Sequence, residues 1–187
     1  MKYSIIIPAY NSSGYIRRAL GSVKSQTCTD YELIVVCDSC TDNTEEIAKE
    51  YGAKTLTVNY NRDGLTRNAG IDVAQGDWLL FMDDDDWWLH ENVLSQLEPE
   101  LPGADIVRFS FMWRGKGYSR CGDYFAVWNK AWRRSFIGKT RFSDVQSWSD
   151  VDFHKAMMEK HPRIKDLDVL MYYYNYMREG SQSWQNI

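Results

Sequence analysis

A run of large apolar residues that ends in four consecutive aspartates constrains the fold of this chain more than any other feature. The apolar run is Trp78 to Met82, and the acidic tetrad is Asp83 to Asp86. A short continuous apolar run predicts a buried strand, so the tetrad should form a loop at its carboxyl end. Because ligands of open α/β sheets collect at the carboxyl ends of strands, the tetrad marks a candidate binding site.

The tetrad also predicts a site for a divalent cation. Adjacent carboxylates repel one another and lose solvation when they are covered, unless a cation lies among them. Asp83 and Asp85 have the spacing that lets two carboxylates of one turn reach one hard ion. We therefore expect Mg2+ or Mn2+ there, with phosphate oxygens completing its coordination. The alternative is an acidic loop that is simply solvated.

Length and composition favour one ordinary globular domain covering residues 1–187, since 44% of the residues are hydrophobic. The net charge of -4 argues against a general nucleic-acid binder. No signal peptide opens the chain, and no apolar stretch reaches the roughly 18 residues of a membrane span, so we expect a cytoplasmic protein.

Cys37 and Cys40 form the single Cys-x-x-Cys pair, and ordinary thiols are favoured there over a redox motif.

Strands and helices alternate through the first half of the chain. Apolar runs predict strands at Tyr3–Ala9, Tyr31–Val36 and Thr55–Val58, with Pro8 stopping the first. The helical patterns that follow them place these residues on buried faces: Ile16, Leu20, Val23, Ile47, Tyr51, Leu65, Ala69 and Val73. This alternation predicts a parallel sheet with right-handed crossovers.

The second half is less regular. We expect a helix over residues 93–101, a strand over 106–111, a helix that begins near Asp150, and an aromatic edge strand at 172–177. The glycine-punctuated loop 115–122 has a position from which it can cover a second substrate.

Four motifs in order resemble the family 2 glycosyltransferases. They are Ser4 to Asn11, Glu32 to Thr44, Arg67 to Gly70 and the Asp83 tetrad. The resemblance implies the GT-A fold, a Rossmann-like α/β/α sandwich with a mixed, mostly parallel central sheet. Residues 1–90 would bind the nucleotide sugar and residues 91–187 the acceptor. It further implies inverting transfer from a nucleotide-diphosphate donor, here expected to be a UDP-sugar, to a glycan or lipid-linked acceptor in cell-surface polysaccharide synthesis.

The same resemblance implies roles for individual residues. The residues expected to bind the nucleotide sugar are Pro8, Ala9, Tyr10, Asn11, Asp38, Arg67, Asp83, Asp84 and Arg178. Among them, Asp38 would read the base, and Arg67 and Arg178 would face the diphosphate. Alone, Asn11 would be interpreted as a helix cap and Arg67 as an exposed helical arginine. Cys37, Ser39 and Cys40 depart from the family pattern of two acidic residues followed by Gly and Ser, so the base stays open.

Asp150 stands where the family's Glu-Asp pair begins a helix, with Ser149 in place of the glutamate. Inverting transfer needs a carboxylate that takes the proton of the attacking hydroxyl, which makes Asp150 the candidate catalytic base. A simple helix cap is the alternative for this residue. Two other functions stay open for the whole chain: a non-catalytic sugar-nucleotide-binding module of the same fold, and a phosphatase with an aspartate nucleophile.

Residues 108 to 141 contain nine basic residues and a single acid, Asp123. Beside Trp113, Trp128 and Trp132, this segregation predicts an electropositive surface for peripheral association with an anionic membrane. The alternative is that these bases pair with acids elsewhere in the chain or remain solvated.

Overall fold

The computed structural model describes residues 1–122 and 124–175, which contain nine strands and six α-helices. The strands are β1 (Tyr3–Ala9), β2 (Tyr31–Asp38), β3 (Lys54–Val58), β4 (Trp78–Phe81), β5 (Trp87–Trp88), β6 (Ile106–Trp113), β7 (Gly117–Ser119), β8 (Lys130–Arg133) and β9 (Ile164–Tyr174). The helices are α1 (Ile16–Lys24), α2 (Thr44–Glu50), α3 (Asp63–Val73), α4 (Val93–Leu97), α5 (Arg134–Ile137) and α6 (Ser149–Met158). A 3-10 turn, Glu98–Glu100, extends α4.

All the described strands join one sheet in the order β3-β2-β1-β4-β8-β6-β9-β5, with β7 paired to β6. The first four strands of this order are parallel, as the alternation of elements predicts. β8 joins β4 and β6 in antiparallel fashion, β9 runs parallel to β6, and β5 is antiparallel to β9. The predicted α/β fold with a mixed central sheet is confirmed.

A hydrophobic core lies on each face of the sheet, because successive side chains of a strand point to opposite faces. Ile5 and Ile7 of β1 pack into the core that α1, α2 and α4 cover. Ile6, between them, packs into the core that α3, α5 and α6 cover. The molecule is therefore the α/β/α sandwich that the resemblance implies.

The face that α3 buries differs from the predicted one. Leu65, Ala69 and Val73 are only half-buried. The buried positions are Gly64, Thr66, Arg67, Gly70 and Ile71. A Cβ at position 70 would lie 2.4 Å from Cγ2 of Ile6, so glycine lets the helix lie directly on β1. Close approach, and not the apolar stripe, sets the orientation of this helix.

The expected edge strand is an inner strand. β9 lies between β6 and β5, where Tyr172 pairs with Trp88 and Tyr173 with Trp87. Local periodicity cannot show this pairing, because the partner is a two-residue strand directly after the tetrad. The predicted strand also extended to Met177, which lies outside the described residues.

Two of the tryptophans that were expected to help residues 108–141 face a membrane are not on the surface. Trp128 and Trp132 are buried in the core, 4% and 0% exposed, so their rings do not reach a headgroup layer. Several of the bases pair with acids elsewhere, as the alternative holds: Arg108 with Asp166, Arg120 with Asp168, Arg133 with Asp105, and Arg141 with Asp72. No helix within the described residues is long and apolar enough to cross a membrane.

Candidate active site

The candidate residues converge at one edge of the sheet because β1, β2 and β4 are parallel and end there. Tyr10 and Asn11 follow the last residue of β1, Asp38 is the last residue of β2, and Asp83 comes two residues after β4. The starts of α3 and α6 approach the same edge and bring Arg67 and Asp150. Arg178 lies outside the described residues.

Arg67 joins the two halves of this site. Its side chain is only 6% exposed, its Nη2 lies 2.7 Å from Oδ1 of Asp83, and its Nη1 lies 3.3 Å from Oδ1 of Asp150. Its Nε is buried and has no hydrogen-bond partner within the described part of the chain. Burial disfavours the guanidinium charge, but Asp150 and Asp83 outweigh it and raise the pKa of Arg67. The interpretation of Arg67 as an exposed helical arginine is therefore wrong.

The environment of Asp150 suits a proton acceptor. Burial raises the pKa of this carboxyl above its ordinary value, and the charges of Asp83 and Asp63 act in the same direction. Arg67 and a hydrogen bond from the backbone N–H of Val127 oppose the shift. A carboxylate held ionised by one cation in a largely buried place is a stronger base than an exposed one.

The carboxylate of Asp84 bonds to the loop after β1. Its Oδ2 accepts hydrogen bonds from the backbone N–H of Tyr10, at 3.4 Å, and from the hydroxyl of Ser12. Burial raises the pKa of Asp84 to about 8, Asp85 and Asp83 add to the shift, and the two hydrogen bonds oppose it. In this geometry Asp84 fixes the loop that the nucleoside was expected to contact.

Asp86 supports Asp83 through a tyrosine that the sequence reasoning did not assign to the site. Tyr172 is fully buried, donates its hydroxyl proton to Oδ2 of Asp86 at 2.6 Å, and accepts the backbone N–H of Asp83 at 3.2 Å. Trp128 stacks on the tyrosine ring, with centroids 4.8 Å apart. Four identical neighbours in the sequence therefore occupy different environments.

The carboxylate of Asp38 is occupied by the protein. Oδ1 accepts the backbone N–H groups of Tyr60 and Asn61 at 2.8 and 3.0 Å. Oδ2 accepts the N–H of Arg62 at 3.1 Å and the hydroxyl of Thr66 at 2.7 Å. Burial alone would raise the pKa of Asp38, but these bonds lower it. Asp38 thus shapes the loop that presents Tyr60, and a direct contact with a base would have to replace one of these bonds.

The residues expected around the nucleoside differ in what they expose. Pro8 and Ala9 are buried inside β1, which spans the predicted range Tyr3–Ala9 and does not end at Pro8, so their side chains are not exposed. Tyr10 is 58% exposed. Asn11 does not cap α1, which begins at Ile16. Instead its Oδ1 accepts the backbone N–H of Thr41 at 2.8 Å and so ties the loops after β1 and β2 together.

A segment before α6 sets the distance between Arg67 and Asp150. The side-chain amide of Asn68 donates to Phe142 O at 2.9 Å and accepts the N–H of Phe142 at 2.8 Å. A Cβ on Gly64 would lie 2.9 Å from both Ser143 O and the Cβ of Ser149. The close packing of α3 on this segment therefore places the start of α6. The Arg67–Gly70 motif was visible in the sequence, but its contact partner was not.

The carboxylate oxygens of the tetrad suit a hard divalent cation whose coordination shell is completed by a bound ligand. No group of three or more His, Cys, Asp or Glu residues among those described is placed to hold a metal by itself. Asp83 and Asp85 are half-buried, and Asp85 lines a cleft of about 340 Å³ together with Arg17 and Trp87. Mg2+ is typically held by one or two carboxylates plus substrate phosphates, which agrees with a two-carboxylate site.

A family model of glycosyl transferase family 2 matches residues 4–163. This chain belongs to that family. EpsH of Bacillus subtilis, a glycosyltransferase by name, is 36% identical over 84% of this chain and 48% of its own length. The poly(ribitol-phosphate) beta-N-acetylglucosaminyltransferase TarP of Staphylococcus aureus is 33% identical over 63% of this chain and 39% of its own length. The chain spans 13% to 48% of the curated relatives it first matches.

Solved structures confirm the GT-A fold. S. aureus TarS 1–349 in complex with UDP-GlcNAc superposes with a TM-score of 0.86 and 25% identity, over 98% of this chain and 61% of that chain. The mannosyltransferase PcManGT from Pyrobaculum calidifontis, in complex with GDP-Man and Mn2+, superposes with a TM-score of 0.79 over 98% of this chain and 59% of that chain. At 15% identity, the second likeness shows the fold alone.

Arg67→Met should lower the free energy of unfolding by about 3–5 kcal/mol at neutral pH, because it leaves the carboxylates of Asp83 and Asp150 without their shared cation. Part of the loss should return as the pH falls. Without Arg67, the pKa of Asp150 in the folded state lies further above its unfolded value, so the folded state binds more protons and gains stability below that pKa. Urea unfolding across a pH series measures both effects.

The matched control is Arg17→Met, which removes an exposed arginine that pairs with Glu50 at 2.9 Å. Exposed pairs contribute little, so this variant should unfold close to the wild type. Equal behaviour of the two variants would contradict a buried bridging role for Arg67.

Proposed function

We propose that this chain is an inverting glycosyltransferase that moves a sugar from a nucleotide-diphosphate donor to a glycan or lipid-linked acceptor in cell-surface polysaccharide synthesis. The observation that carries the proposal is the ion cluster of Asp83, Arg67 and Asp150. Each member comes from a different part of the fold, and together they supply what sugar transfer needs: an acidic loop for the donor, a guanidinium cation for phosphate oxygens, and a half-buried base.

The donor proposal rests on the loops at the sheet edge. Tyr10 is exposed beside the buried β1 end, and Asp38 holds the loop that carries Tyr60, itself 45% exposed. Two exposed aromatic rings held by fixed loops suit a planar base. The solved complexes of TarS with UDP and with UDP-GlcNAc support a UDP-sugar as the donor.

We propose that Arg67 binds the diphosphate of the donor and also tunes the pKa of Asp150, the base that acts on the acceptor. A guanidinium presents donors in a fixed fork that matches phosphate oxygens, and the buried Nε of Arg67 is still without a partner within the described residues. In the absence of donor, its two other nitrogens hold Asp83 and Asp150. Arg67 lowers the pKa of Asp150. When a donor diphosphate shares the positive charge of Arg67, this effect weakens, so the pKa of Asp150 rises and its carboxylate becomes a stronger base.

Asp150 is proposed to take the proton of the attacking acceptor hydroxyl. A base of this kind must lie within reach of the proton that it removes and keep a pKa matched to the working pH. Its position at the start of α6, with the Val127 N–H and Arg67 as fixed partners, limits the motion of the carboxylate. When bound, Mg2+ or Mn2+ at Asp83 and Asp85 would neutralise the charge of the leaving nucleotide diphosphate.

The relatives support a polymer of the cell surface as acceptor. TarP and TarS are poly(ribitol-phosphate) beta-N-acetylglucosaminyltransferases by name. The phosphatase alternative would use the aspartate-rich strand end, but its metal site would need neither Arg67 nor Asp38. A non-catalytic binding module would keep donor affinity but would show no transfer and no donor hydrolysis.

Calorimetric titration with UDP and UDP-GlcNAc, with and without Mn2+, tests donor recognition. Binding of either ligand at micromolar concentrations supports the proposal, and the absence of binding to any nucleotide diphosphate sugar in a wider thermal-shift screen would refute it, because a ligand that binds the folded state raises its stability.

Asp150→Asn should lower the rate of metal-dependent donor hydrolysis by roughly a hundredfold or more, the usual loss when a general base is removed. UDP affinity should stay near the wild-type value, because the amide keeps the size of the side chain. Asp152→Asn is the control: Asp152 lies on the same helix turn, but its Oδ2 accepts the hydroxyl of Ser143 at 2.8 Å and not the guanidinium of Arg67. Equal losses in both variants would make Asp150 structural.

The pH dependence of donor hydrolysis also tests the role of Asp150 as a base. A base must be deprotonated to act, so hydrolysis should fall as the pH drops through the raised pKa of Asp150. The fall should begin at a higher pH than for an exposed aspartate, and it should be missing from the residual activity of Asp150→Asn.

Asp85→Asn should abolish the gain in UDP affinity that Mn2+ produces, while affinity without metal changes little, because a hard cation prefers a charged oxygen ligand. Calorimetric titration with and without chelator measures this difference. Asp84→Asn is the control, since its carboxylate bonds to the loop after β1. It should retain most of the Mn2+ response. A loss of equal size in both variants would indicate general electrostatics and not a metal ligand.

A further inference from the structure

The thiols of Cys37 and Cys40 meet at the carboxyl end of β2. Cys37 is fully buried, Cys40 is half-buried, and both are free cysteines. Ser39, between them, has a left-handed φ of 55°, so the chain turns there, and both cysteine side chains pack against the same hydrophobic core cluster. A shielded thiol thus contacts a partly accessible one, three residues apart.

The two thiols differ in reactivity. The hydrogen bond from Cys37 lowers the pKa of Cys40 to about 7, with help from the Asn11 backbone and the Thr44 side chain, whereas burial and the charge of Asp42 oppose the shift. The same hydrogen bond and burial raise the pKa of Cys37. The thiolate is the nucleophile in thiol–disulfide exchange, so Cys40 is the attacking sulfur and Cys37 the resolving one.

We propose that Cys37 and Cys40 are a modification site, at which a reversible disulfide weakens binding at the adjacent donor site. The oxidant is a low-molecular-weight disulfide. The Cys40 thiolate attacks one of its sulfurs, which forms a mixed disulfide and releases one thiolate. The Cys37 thiol then loses its proton and attacks the Cys40 sulfur, which releases the second thiolate. Two protein thiols are oxidised by two electrons, the small disulfide is reduced to two thiols, and these take up the two protons.

The position of Cys40 links this chemistry to the donor loops. Its Sγ donates to Ala9 O at 3.4 Å, and it accepts the backbone N–H of Asn11. The next residue, Thr41, donates its N–H to Oδ1 of Asn11 at 2.8 Å. A disulfide removes the thiol proton that Ala9 accepts and draws the Cys40 sulfur toward the core. The loop after β1, which carries Tyr10 and Asn11, then loses one of the hydrogen bonds that tie it to the segment after β2.

The effect on the donor rests on the proposed function, whereas formation of the disulfide does not. The experiment therefore measures the two separately. The reduced protein is incubated with oxidised glutathione, free thiols are alkylated, and peptide mass spectrometry identifies the product. A Cys28→Ser, Cys121→Ser double variant, which keeps only the pair, serves as the background. UDP affinity is then measured by calorimetry before oxidation, after it, and after dithiothreitol.

We expect a Cys37–Cys40 disulfide in that background, a roughly tenfold or larger loss of UDP affinity on oxidation, and recovery with dithiothreitol. Cys40→Ser, which places a hydroxyl at the same position, should show one affinity with and without oxidant. Absence of the disulfide, a disulfide that involves other cysteines in the wild type, or a disulfide without change in UDP affinity would each overturn the proposal. If the reduced protein binds no UDP while the disulfide still forms, the donor assignment fails and the thiol chemistry stands.

Discussion

The charge of Arg67 between Asp83 and Asp150 is the interaction on which the rest of the site depends. Two carboxylates from opposite halves of the chain approach each other at a largely buried place, and one guanidinium at 2.7 and 3.3 Å makes this tolerable. Breaking a buried pair is strongly destabilising, since it leaves an uncompensated charge. The glycine face of α3 serves this arrangement, because Gly70 lets the helix lie on β1 and Gly64 lets the start of α6 approach.

The acidic tetrad shows how one strand end divides its work. Asp83 contacts Arg67, Asp84 holds the loop after β1, and Asp86 bonds to Tyr172, which in turn holds the backbone of Asp83. Asp85 lines the cleft on the α1 side. Asp84 and Asp86 therefore build the loop, whereas Asp83 and Asp85 have the spacing of candidate cation ligands. The neighbouring negative charges are a cost that a bound cation would offset.

The sequence predicted the sheet, the sandwich and the positions of Asp83 and Asp150, because continuous apolar runs and the order of motifs report buried strands and their loops. It could not predict which face α3 buries, since Leu65, Ala69 and Val73 satisfy the periodic pattern while the glycines satisfy the packing. The roles of Asp84 and Asp86 depend on Ser12 and Tyr172, which are distant in the sequence. The burial of Trp128 and Trp132 could not be predicted either, because a tryptophan can pack against lipid or against the protein core. In the structure, Trp128 packs against Phe111 and Tyr172, and Trp132 packs against Phe153.

The central claim is that this edge of the sheet transfers a sugar with inversion. Proton NMR of donor hydrolysis tests it directly: the α-linked UDP-sugar that binds best is mixed with the protein and Mn2+, and the anomeric signals of the released sugar are followed before mutarotation. The account predicts that the β-anomer appears first, at a rate that depends on Asp150. First appearance of the α-anomer, or intact donor in the presence of a protein that binds it, would contradict an inverting transferase.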